Sequence, residues 1–292
     1  EGDIFVNNNL ILKKEVKIKK GTTFYLSEDA SIIFKNKVLA EGTSDNPIIF
    51  KRNDKYKKWG TIAIHGAKTK GSLFKNIVID GGSGDTVDGI NYFSSLSVHS
   101  TQNINFKNIL VKNNSNYDDM VHIVYSSNIN FDQLNLMNAH KDAIDIDISE
   151  NIYFKNSKIF NSGNDGLDLM DSSAIIDKTF ITKTGDKGIS VGEGSKLNLS
   201  NSTIENSNYG VASKDGSKVN IYNTLLKDNN IQLSTYQKNW RYGDSGFIEI
   251  KNSKISSKKE NLLIGDNNGN IKILSTNIDG QLRKEGNVFI LQ

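Results

Sequence analysis

The chain has 292 residues, of which 36% are hydrophobic, 24% are charged, one is proline and none is cysteine. That length supplies enough apolar material for one large core. The lack of cysteine excludes disulfide frameworks, thiolate zinc sites and thiol catalysis. With 36 basic and 33 acidic residues, no basic tract dominates, so nucleic acid is not an expected partner. The apolar runs are only a few residues long, too short to span a bilayer.

Residues 1–60 contain short apolar pairs separated by turn residues, and they predict the N-terminal coils of a repeating β domain. The chain starts at Glu1 instead of methionine, so we expect a removed signal peptide or an upstream domain before it. We therefore expect an extracellular, cell-surface or periplasmic protein, either a monomer or part of a larger chain.

Residues 96–230 repeat a unit of about 22–25 residues, and each unit has three short stretches of alternating apolar residues. One segment makes the repeat clear, because it recurs as Asn103–Phe106, Asn128–Phe131, Asn151–Phe154, Lys196–Leu199 and Lys218–Ile221. A single unit cannot close a core, whereas stacked units bury each apolar column as a ladder. The sequence predicts that residues 1–292 form one all-β domain, a parallel β-helix (solenoid) of about 10–12 coils with three short strands per coil.

Two kinds of column support this prediction. One aliphatic ladder is expected to contain Ile104, Ile129, Ile152, Ile175, Leu197 and Val219. The chain also has 38 asparagines, and several recur at one place in successive units: Asn113, Asn138, Asn161 and Asn206. Asparagine tolerates the backbone of a tight corner, and stacked amides hydrogen-bond along a ladder. We therefore interpret these asparagines as coil corners with a structural role.

Charged residues occupy the outward face of one predicted strand column. The outward positions, coil after coil, are Ser97, His122, Asp145, Asp168, Ser190 and Ala212. Asp147 and Lys214 lie two residues further along the strand. The corner before the strand holds Asp119, Asp142, Asp165 and Lys187. Ionisable side chains gathered in this way are typical of functional sites.

Like charges on adjacent strands repel each other, and three arrangements would relieve the repulsion. A hard cation such as calcium could bind between the carboxylates, one carboxyl could keep its proton, or nearby basic residues could neutralise a solvated patch. We predict a functional patch whose calcium ligands would be Asp142, Asp145, Asp165 and Asp168.

The C-terminal residues 231–292 are less regular. The segment Tyr236–Tyr242 interrupts the repeat with aromatic and basic residues, which either contact a sugar acid or pack as a plain loop.

The four histidines carry weaker signals. His65 and His140 are isolated in the sequence, and we interpret them as surface or turn histidines. A metal site formed by His99, His122 and Asp145 is a further alternative.

Several motifs resemble those of known β-helix proteins. Early coils of bacterial surface β-helices are similar to Gly21–Thr23, Ala40–Thr43, Asn46–Phe50 and Trp59–Ile62. With the repeat, these motifs make the whole chain resemble the right-handed parallel β-helices of the pectate-lyase-like superfamily. More narrowly, β-helix segments that accompany spore-coat-protein-H-like domains in bacterial surface proteins are similar to Asp186–Glu193, Gly210–Asp215 and Tyr236–Gly243.

The superfamily resemblance implies chemistry on an anionic polysaccharide or cell-surface glycan, of lyase or epimerase type, with glycoside hydrolysis second. Such enzymes neutralise a uronate carboxylate and remove the C5 proton with a base. The catalytic residues expected on this basis are Asp145, Asp168, Lys187 and His122; those expected to bind substrate are Asp147, Lys214, Lys238, Arg241 and Tyr236. The chain lacks the Asp-Pro-His signature of alginate epimerases. The alternative is a non-catalytic carbohydrate-binding module, or a rigid surface or adhesin module of a larger protein.

Overall fold

The structure is a computed structural model that describes residues 1–116 and 118–291. Its strands stack on one another in parallel. They form three columns, and some coils run through two columns as one long strand. The chain is an all-β parallel solenoid of about 12 turns, which confirms the fold class predicted from the repeat. In the described part of the chain, two short 3-10 helices interrupt it, at Ala67–Thr69 and Trp240–Tyr242. Within the described residues, no helix has the length and apolar character that crossing a membrane needs.

The contacts divide the chain into two compact units. Unit 1 contains Glu1–Asp145 and Ser149–Tyr153, and unit 2 contains Ile146–Ile148 and residues 154–291. We describe each unit by itself.

Unit 1 contains the early coils. Its first column has the strands Leu10–Leu12, Ile32–Phe34, Ile62–His65, Ser94–His99, Asp119–Val124 and the start of Asp142–Asp147. The second and third columns share the long strands Leu73–Asp80, Gln102–Lys112 and Ser127–Ala139. The other strands of these two columns are Gly2–Val6, Val16–Lys19, Thr22–Leu26, Val38–Glu41, Ile48–Arg52 and the start of Glu150–Lys155. An antiparallel hairpin pairs Asp85–Val87 with Ile90–Tyr92.

Unit 2 repeats the same plan. Its first column has the strands Leu167–Met170, Lys187–Gly192, Tyr209–Lys214 and Ile231–Tyr236. The second column has Ser173–Asp177, Lys196–Ser200, Lys218–Tyr222, Phe247–Lys251, Asn270–Leu274 and Val288–Leu291. The third column has Lys158–Ser162, Phe180–Thr184, Thr203–Glu205 and Leu225–Lys227. The long strands Lys254–Gly265 and Asn277–Gly286 each pass from the third column to the first.

Apolar ladders fill the interior of each unit, because alternate side chains of a strand point inward. In unit 1 the rings of Phe74, Phe106 and Phe131 stack on successive coils, with centroids 5.2 and 4.5 Å apart. In unit 2 the residues Ile189 and Val211 pair in register and are fully buried. Each buried aliphatic side chain contributes roughly 1.5–3 kcal/mol.

One predicted ladder position is wrong. Ala174 pairs with Leu197 and is buried, while Ile175 pairs with Asn198 and is 38% exposed. A slip of one residue turns a strand's side chains to the opposite face. The repeat is one residue shorter at this coil than the aligned sequences indicate, so alanine takes the inward position.

The asparagine columns lie at corners, as predicted. Asn113 and Asn138 both have a left-handed backbone, with φ of 58° and 60°, and the Asn138 amide donates to the Asn113 side-chain oxygen at 3.1 Å. In unit 2, Asn201 and Asn223 repeat the arrangement with a 2.7 Å bond. Asparagine is one of the few non-glycine residues that adopt this backbone readily.

The outward face of the first column, which we call the wall of each unit, is more buried than its sequence suggests. In unit 1 every residue of Ser94–His99 is buried, and the hairpin residues Val87 and Tyr92 pack in one cluster with Ile33 and Ala63 of that column. The outward positions Ser190 and Ala212 of unit 2 are likewise fully buried. Charged groups on this wall are therefore partly shielded from water, which strengthens their interactions.

Candidate functional site

In unit 1, two carboxylates and one imidazole meet on the wall of the first column. Asp119 begins the strand Asp119–Val124, which also contains His122, and Asp145 lies in the neighbouring strand Asp142–Asp147. The three residues bring one possible ligand atom each to within 4.8 Å of the other two. Asp119 and His122 are buried and Asp145 is half-buried. Oxygen and nitrogen donors at this separation can hold a metal ion.

A second, more exposed acidic group shares Asp119 with the first. Asp118, Asp119 and Asp142 also bring one carboxylate oxygen each to within 4.8 Å. The Nζ of Lys141 lies 2.8 Å from a carboxylate oxygen of Asp118, and both side chains are more than half exposed. An exposed pair of this kind contributes little. Carboxylates 4 Å apart repel by about 4 kcal/mol at an effective dielectric constant of 20, so the repulsion matters most on the buried side of the wall.

Histidine and tyrosine rings continue this wall toward the N-terminal coils. The Nδ1 of His65 lies 2.7 Å from the hydroxyl of Tyr92. The ring of His99 lies 5.8 Å from that of His65 and 5.3 Å from that of His122, in the second case edge to face. His65 is half-buried in a strand, so its interpretation as a surface or turn histidine is wrong, whereas His140 is an exposed bend residue as expected.

Burial determines the ionisation of these rings. Burial, with smaller contributions from the neighbouring His122, His65 and Lys35, lowers the pKa of His99 to about 3. It also raises the pKa of Tyr92 to about 12. His99 is therefore a neutral imidazole at ordinary pH. Its Nε2 atom is buried and has no hydrogen-bond partner among residues 1–116 and 118–291.

In unit 2 the wall carries lysines instead of histidines. The backbone amide of Lys187 donates to a carboxylate oxygen of Asp165 at 2.8 Å, and the Lys187 ammonium lies 3.6 Å from the same oxygen. The ammonium also donates to Asp186. Burial alone would lower the pKa of Lys187, but the carboxylates of Asp165 and Asp186 outweigh it and raise that pKa above its usual value. Lys187 is therefore a fixed positive charge.

Lys214 forms a second charged group on the same wall. Its ammonium lies 3.7 Å from a carboxylate oxygen of Asp168, and its side chain is 5% exposed. The stem crosses Gly192, where an added Cβ would lie 2.6 Å from the Lys214 Cε atom. Burial raises the pKa of Glu193; the charge of Lys214 opposes this shift, and the carboxylates of Asp168 and Asp215 add to it. An ammonium, a carboxylate and a carboxyl group whose pKa is raised by burial thus lie together.

The segment after Tyr236 is anchored by a buried carboxylate. Asp215 is fully buried, and one of its oxygens accepts from the backbone amides of Lys238 and Asn239 at 2.6 and 2.7 Å. The side chain of Lys238 is exposed, as is that of Arg241. Tyr236 is half-buried, and burial raises the pKa of its hydroxyl.

The predicted site residues therefore fall into several groups. His122 and Asp145 meet in unit 1, and Asp142 joins the second acidic group there. In unit 2 the pairs are Asp165 with Lys187 and Asp168 with Lys214. Asp147 is half-buried at the end of its strand.

Sequence reasoning missed two contributors to these groups, Asp118 and Asp186, and it assigned no role to two others, Asp119 and Glu193. Asp119 was seen only as a corner residue, and Asp118 and Asp186 stand beside recognised positions without belonging to a column. Glu193 follows the end of a strand with a left-handed backbone, φ 53°. Its burial beside Lys214 is a tertiary property with no signal in the sequence.

Comparison with known proteins identifies the fold. A family model described as a right-handed β-helix region matches residues 119–280. An alginate lyase from Paenibacillus sp. is similar with a TM-score of 0.58 at 11% identity, over 94% of this chain and 99% of that one. The A-module of a mannuronan C-5 epimerase from Azotobacter vinelandii gives 0.57 at 12% identity, over 99% and 90%. The Dettilon tailspike protein gives 0.57 at 10% identity, over 98% and 61%.

At identities this low, the structural likenesses show the fold alone. A sequence comparison with curated proteins gives no match. The family model, in contrast, spans more than half of the chain, including the strands that carry both charged walls. The protein belongs to the family of right-handed β-helix proteins.

Proposed function

We propose that the protein acts on an anionic polysaccharide through proton abstraction of the lyase or epimerase type, at the wall of unit 2. The observation that carries this proposal is the group of Asp168, Lys214 and Glu193, in which a buried ammonium lies 3.7 Å from one carboxylate and a second carboxyl has a raised pKa. Proton transfer at a sugar ring needs a base that takes the proton and an acid that supplies one, both within reach of the reacting carbon or the leaving oxygen. Polysaccharide-acting enzymes among the proteins of similar fold are consistent with it as analogies.

The chemistry assigns a role to each group. A uronate carboxylate must be neutralised before the C5 proton can leave, because negative charge develops beside it. Lys187 suits that role, since a raised pKa keeps it charged and makes it a poor base. Asp168 accepts the C5 proton, and Lys214 orients the Asp168 carboxylate.

Bond changes then follow for each reaction type. In the lyase type, the C4–C5 double bond forms as the C4–O bond breaks, and Glu193 gives its proton to the leaving glycosidic oxygen. In the epimerase type, Asp168 takes the C5 proton from one face, Glu193 gives its proton to C5 on the opposite face, and no glycosidic bond breaks. Tyr236, Lys238 and Arg241 would bind neighbouring sugar acids. Asp145 and His122 belong to unit 1, and we assign no step on the sugar to them.

A non-catalytic carbohydrate-binding module is the second candidate, and one observation favours it. Trp240 is 76% exposed, and the Arg241 guanidinium lies 5.8 Å over its ring. An exposed indole beside a cation offers stacking and charge to an acidic sugar without any chemistry. Both candidates take a polysaccharide or cell-surface glycan as partner, and with them we propose a location outside the cytoplasm.

A panel of uronate polymers tests the proposal. The protein is incubated with polymannuronate, polyguluronate and polygalacturonate. Ultraviolet absorbance reports unsaturated ends, and proton NMR reports the ratio of C5 epimers. We expect product with at least one polymer, and Asp168→Asn and Lys214→Met should each lower the rate at least about 100-fold. The matched control is Lys227→Met, which removes a half-exposed lysine 3.9 Å from Glu205 in the same unit and should leave the rate unchanged.

The outcomes separate the two candidates. Binding of a polymer without product, weakened by Trp240→Ala, would establish the binding module and overturn the catalytic proposal. Turnover that survives Asp168→Asn would move the base to another residue.

A further inference from the structure

We propose that unit 1 contains a transition-metal site whose ligands are Asp119, His122 and Asp145, with the buried ring of His99 beside them. This site is separate from the acid–base group proposed for unit 2, and its existence does not depend on polysaccharide chemistry. It also differs from the calcium site predicted from the sequence, because its donors include an imidazole.

The geometry supports three ligands. The donor atoms of Asp119, His122 and Asp145 all lie within 4.8 Å of one another. Metal–oxygen and metal–nitrogen bonds of about 2.0–2.2 Å hold two ligand atoms at most about 4.4 Å apart. Small side-chain rotations therefore bring the three donors into coordination distance. Neighbouring parallel strands provide the ligands, so the backbone that carries them is rigid.

The donor types select the class of metal. Calcium and magnesium take oxygen ligands almost exclusively, whereas imidazole nitrogen suits zinc, iron, cobalt, nickel and copper. One imidazole and two carboxylates are a mixed set that matches a divalent transition metal. Two carboxylates would also neutralise the charge of such an ion within a wall where Asp119 and His122 are buried.

A second, independent observation points to a bound ligand here. The His99 side chain is 6% exposed, and its Nε2 is buried without a hydrogen-bond partner in the described part of the chain. Its ring lies edge to face against His122 at 5.3 Å. Buried polar atoms are nearly always paired, so an unpaired nitrogen beside a ligand set indicates that a partner is missing. A water molecule bound to the metal ion would supply that partner.

Cobalt(II) is the probe that tests the site, because its visible absorption reports the coordination by nitrogen and oxygen. The full chain is treated with a chelator, titrated with Co²⁺, and then challenged with Zn²⁺ and with Ca²⁺. We expect one equivalent of Co²⁺ to bind, Zn²⁺ to displace it, and millimolar Ca²⁺ to leave the spectrum unchanged. His122→Ala and Asp145→Asn should each weaken binding at least about 100-fold, and His99→Ala about 10- to 100-fold.

His140→Ala is the matched control, since His140 is exposed at a bend and should not change Co²⁺ affinity. Circular dichroism checks that each variant is folded; if His122→Ala is not, the half-buried Asp145→Asn decides alone. Calcium that competes on equal terms would show an oxygen-only site and overturn the proposal. Binding that survives both His122→Ala and Asp145→Asn, or no binding at all, would overturn it as well.

Discussion

The two units place different chemistry on the same kind of wall. In unit 1 the carboxylates of Asp119 and Asp145 lie beside imidazoles. In unit 2 the carboxylates of Asp165 and Asp168 lie beside ammonium groups, 3.6 and 3.7 Å away. An ammonium carries a full positive charge at ordinary pH, whereas a buried imidazole such as His99 is neutral.

This difference decides how each wall balances its negative charge. In unit 2 the ammonium groups of Lys187 and Lys214 lie close enough to Asp165 and Asp168 to act as their counter-ions. In unit 1 the imidazole of His122 is suited to coordinate a metal ion together with the carboxylates of Asp119 and Asp145. The comparison therefore predicts that removing a lysine lowers the stability of unit 2 and that removing a metal ion lowers the stability of unit 1.

Lys214→Met should give the largest effect. Removing one partner of a buried ion pair costs about 3–5 kcal/mol, and hydration of Asp168, whose side chain is 30% exposed, reduces the expected loss to about 2–4 kcal/mol. Urea unfolding measures the change, and Lys227→Met, from a half-exposed pair, should lose less than about 1 kcal/mol. Equal losses in the two variants would mean that Lys214 does not neutralise the unit 2 wall.

Metal should stabilise unit 1 selectively. At a free concentration of 100 times Kd, a ligand that binds only the folded state stabilises it by about 2.7 kcal/mol. Hydrogen exchange with and without Zn²⁺ should therefore show greater protection in Asp119–Val124 and no change in Lys187–Gly192. A uniform change in both strands would contradict a site confined to unit 1.

The corner asparagines should behave alike in both units. Asn138→Ala and Asn223→Ala place alanine at φ of 60° and 45°, which costs roughly 1–2 kcal/mol for the left-handed backbone. Glycine at the same positions should lose less, because it adopts positive φ freely. Thermal unfolding of the four variants measures the difference. Alanine and glycine variants of equal stability would show that asparagine is needed at these corners for its amide ladder and not for its left-handed backbone.

Glu193→Gln should give the smallest effect, seen in the pH dependence of stability. Burial raises the pKa of Glu193 in the folded state, so the folded protein binds this proton more tightly than the unfolded chain. The associated stability is present below the ordinary glutamate pKa and is lost as the pH rises through the folded pKa. Unfolding followed from about pH 4 to about pH 8 should show a shallower decline in the variant than in the parent chain. An unchanged slope would mean that Glu193 is charged and solvated.

Much of the fold could be predicted from the sequence because it rests on short-range periodicity. Buried residues such as Ile104 and Ile129 pair in register, as the aligned repeats require. The error at Ile175 arose where one coil is a residue shorter. An aliphatic residue on either face satisfies a hydrophobic pattern, so the sequence could not decide between Ala174 and Ile175.

The site was less predictable because its properties depend on what covers it. The outward residues were recognised, yet the burial of Ser97 and Ser190 was not. In unit 1 a hairpin with no repeat signal packs against the first column through Val87 and Tyr92. The pairing of Lys214 with Asp168 similarly depends on a long side chain that crosses Gly192, a path that no spacing rule contains.

Alternation along each strand has an evolutionary consequence. Ile189 and Val191 point into the ladder of unit 2, and Ser190 between them points to the wall. A substitution at the outward position leaves the neighbouring inward contacts untouched. Natural selection can therefore change the chemistry of one coil without changing the backbone that supports it. We expect relatives of this chain to differ in function at outward positions while their backbones stay alike.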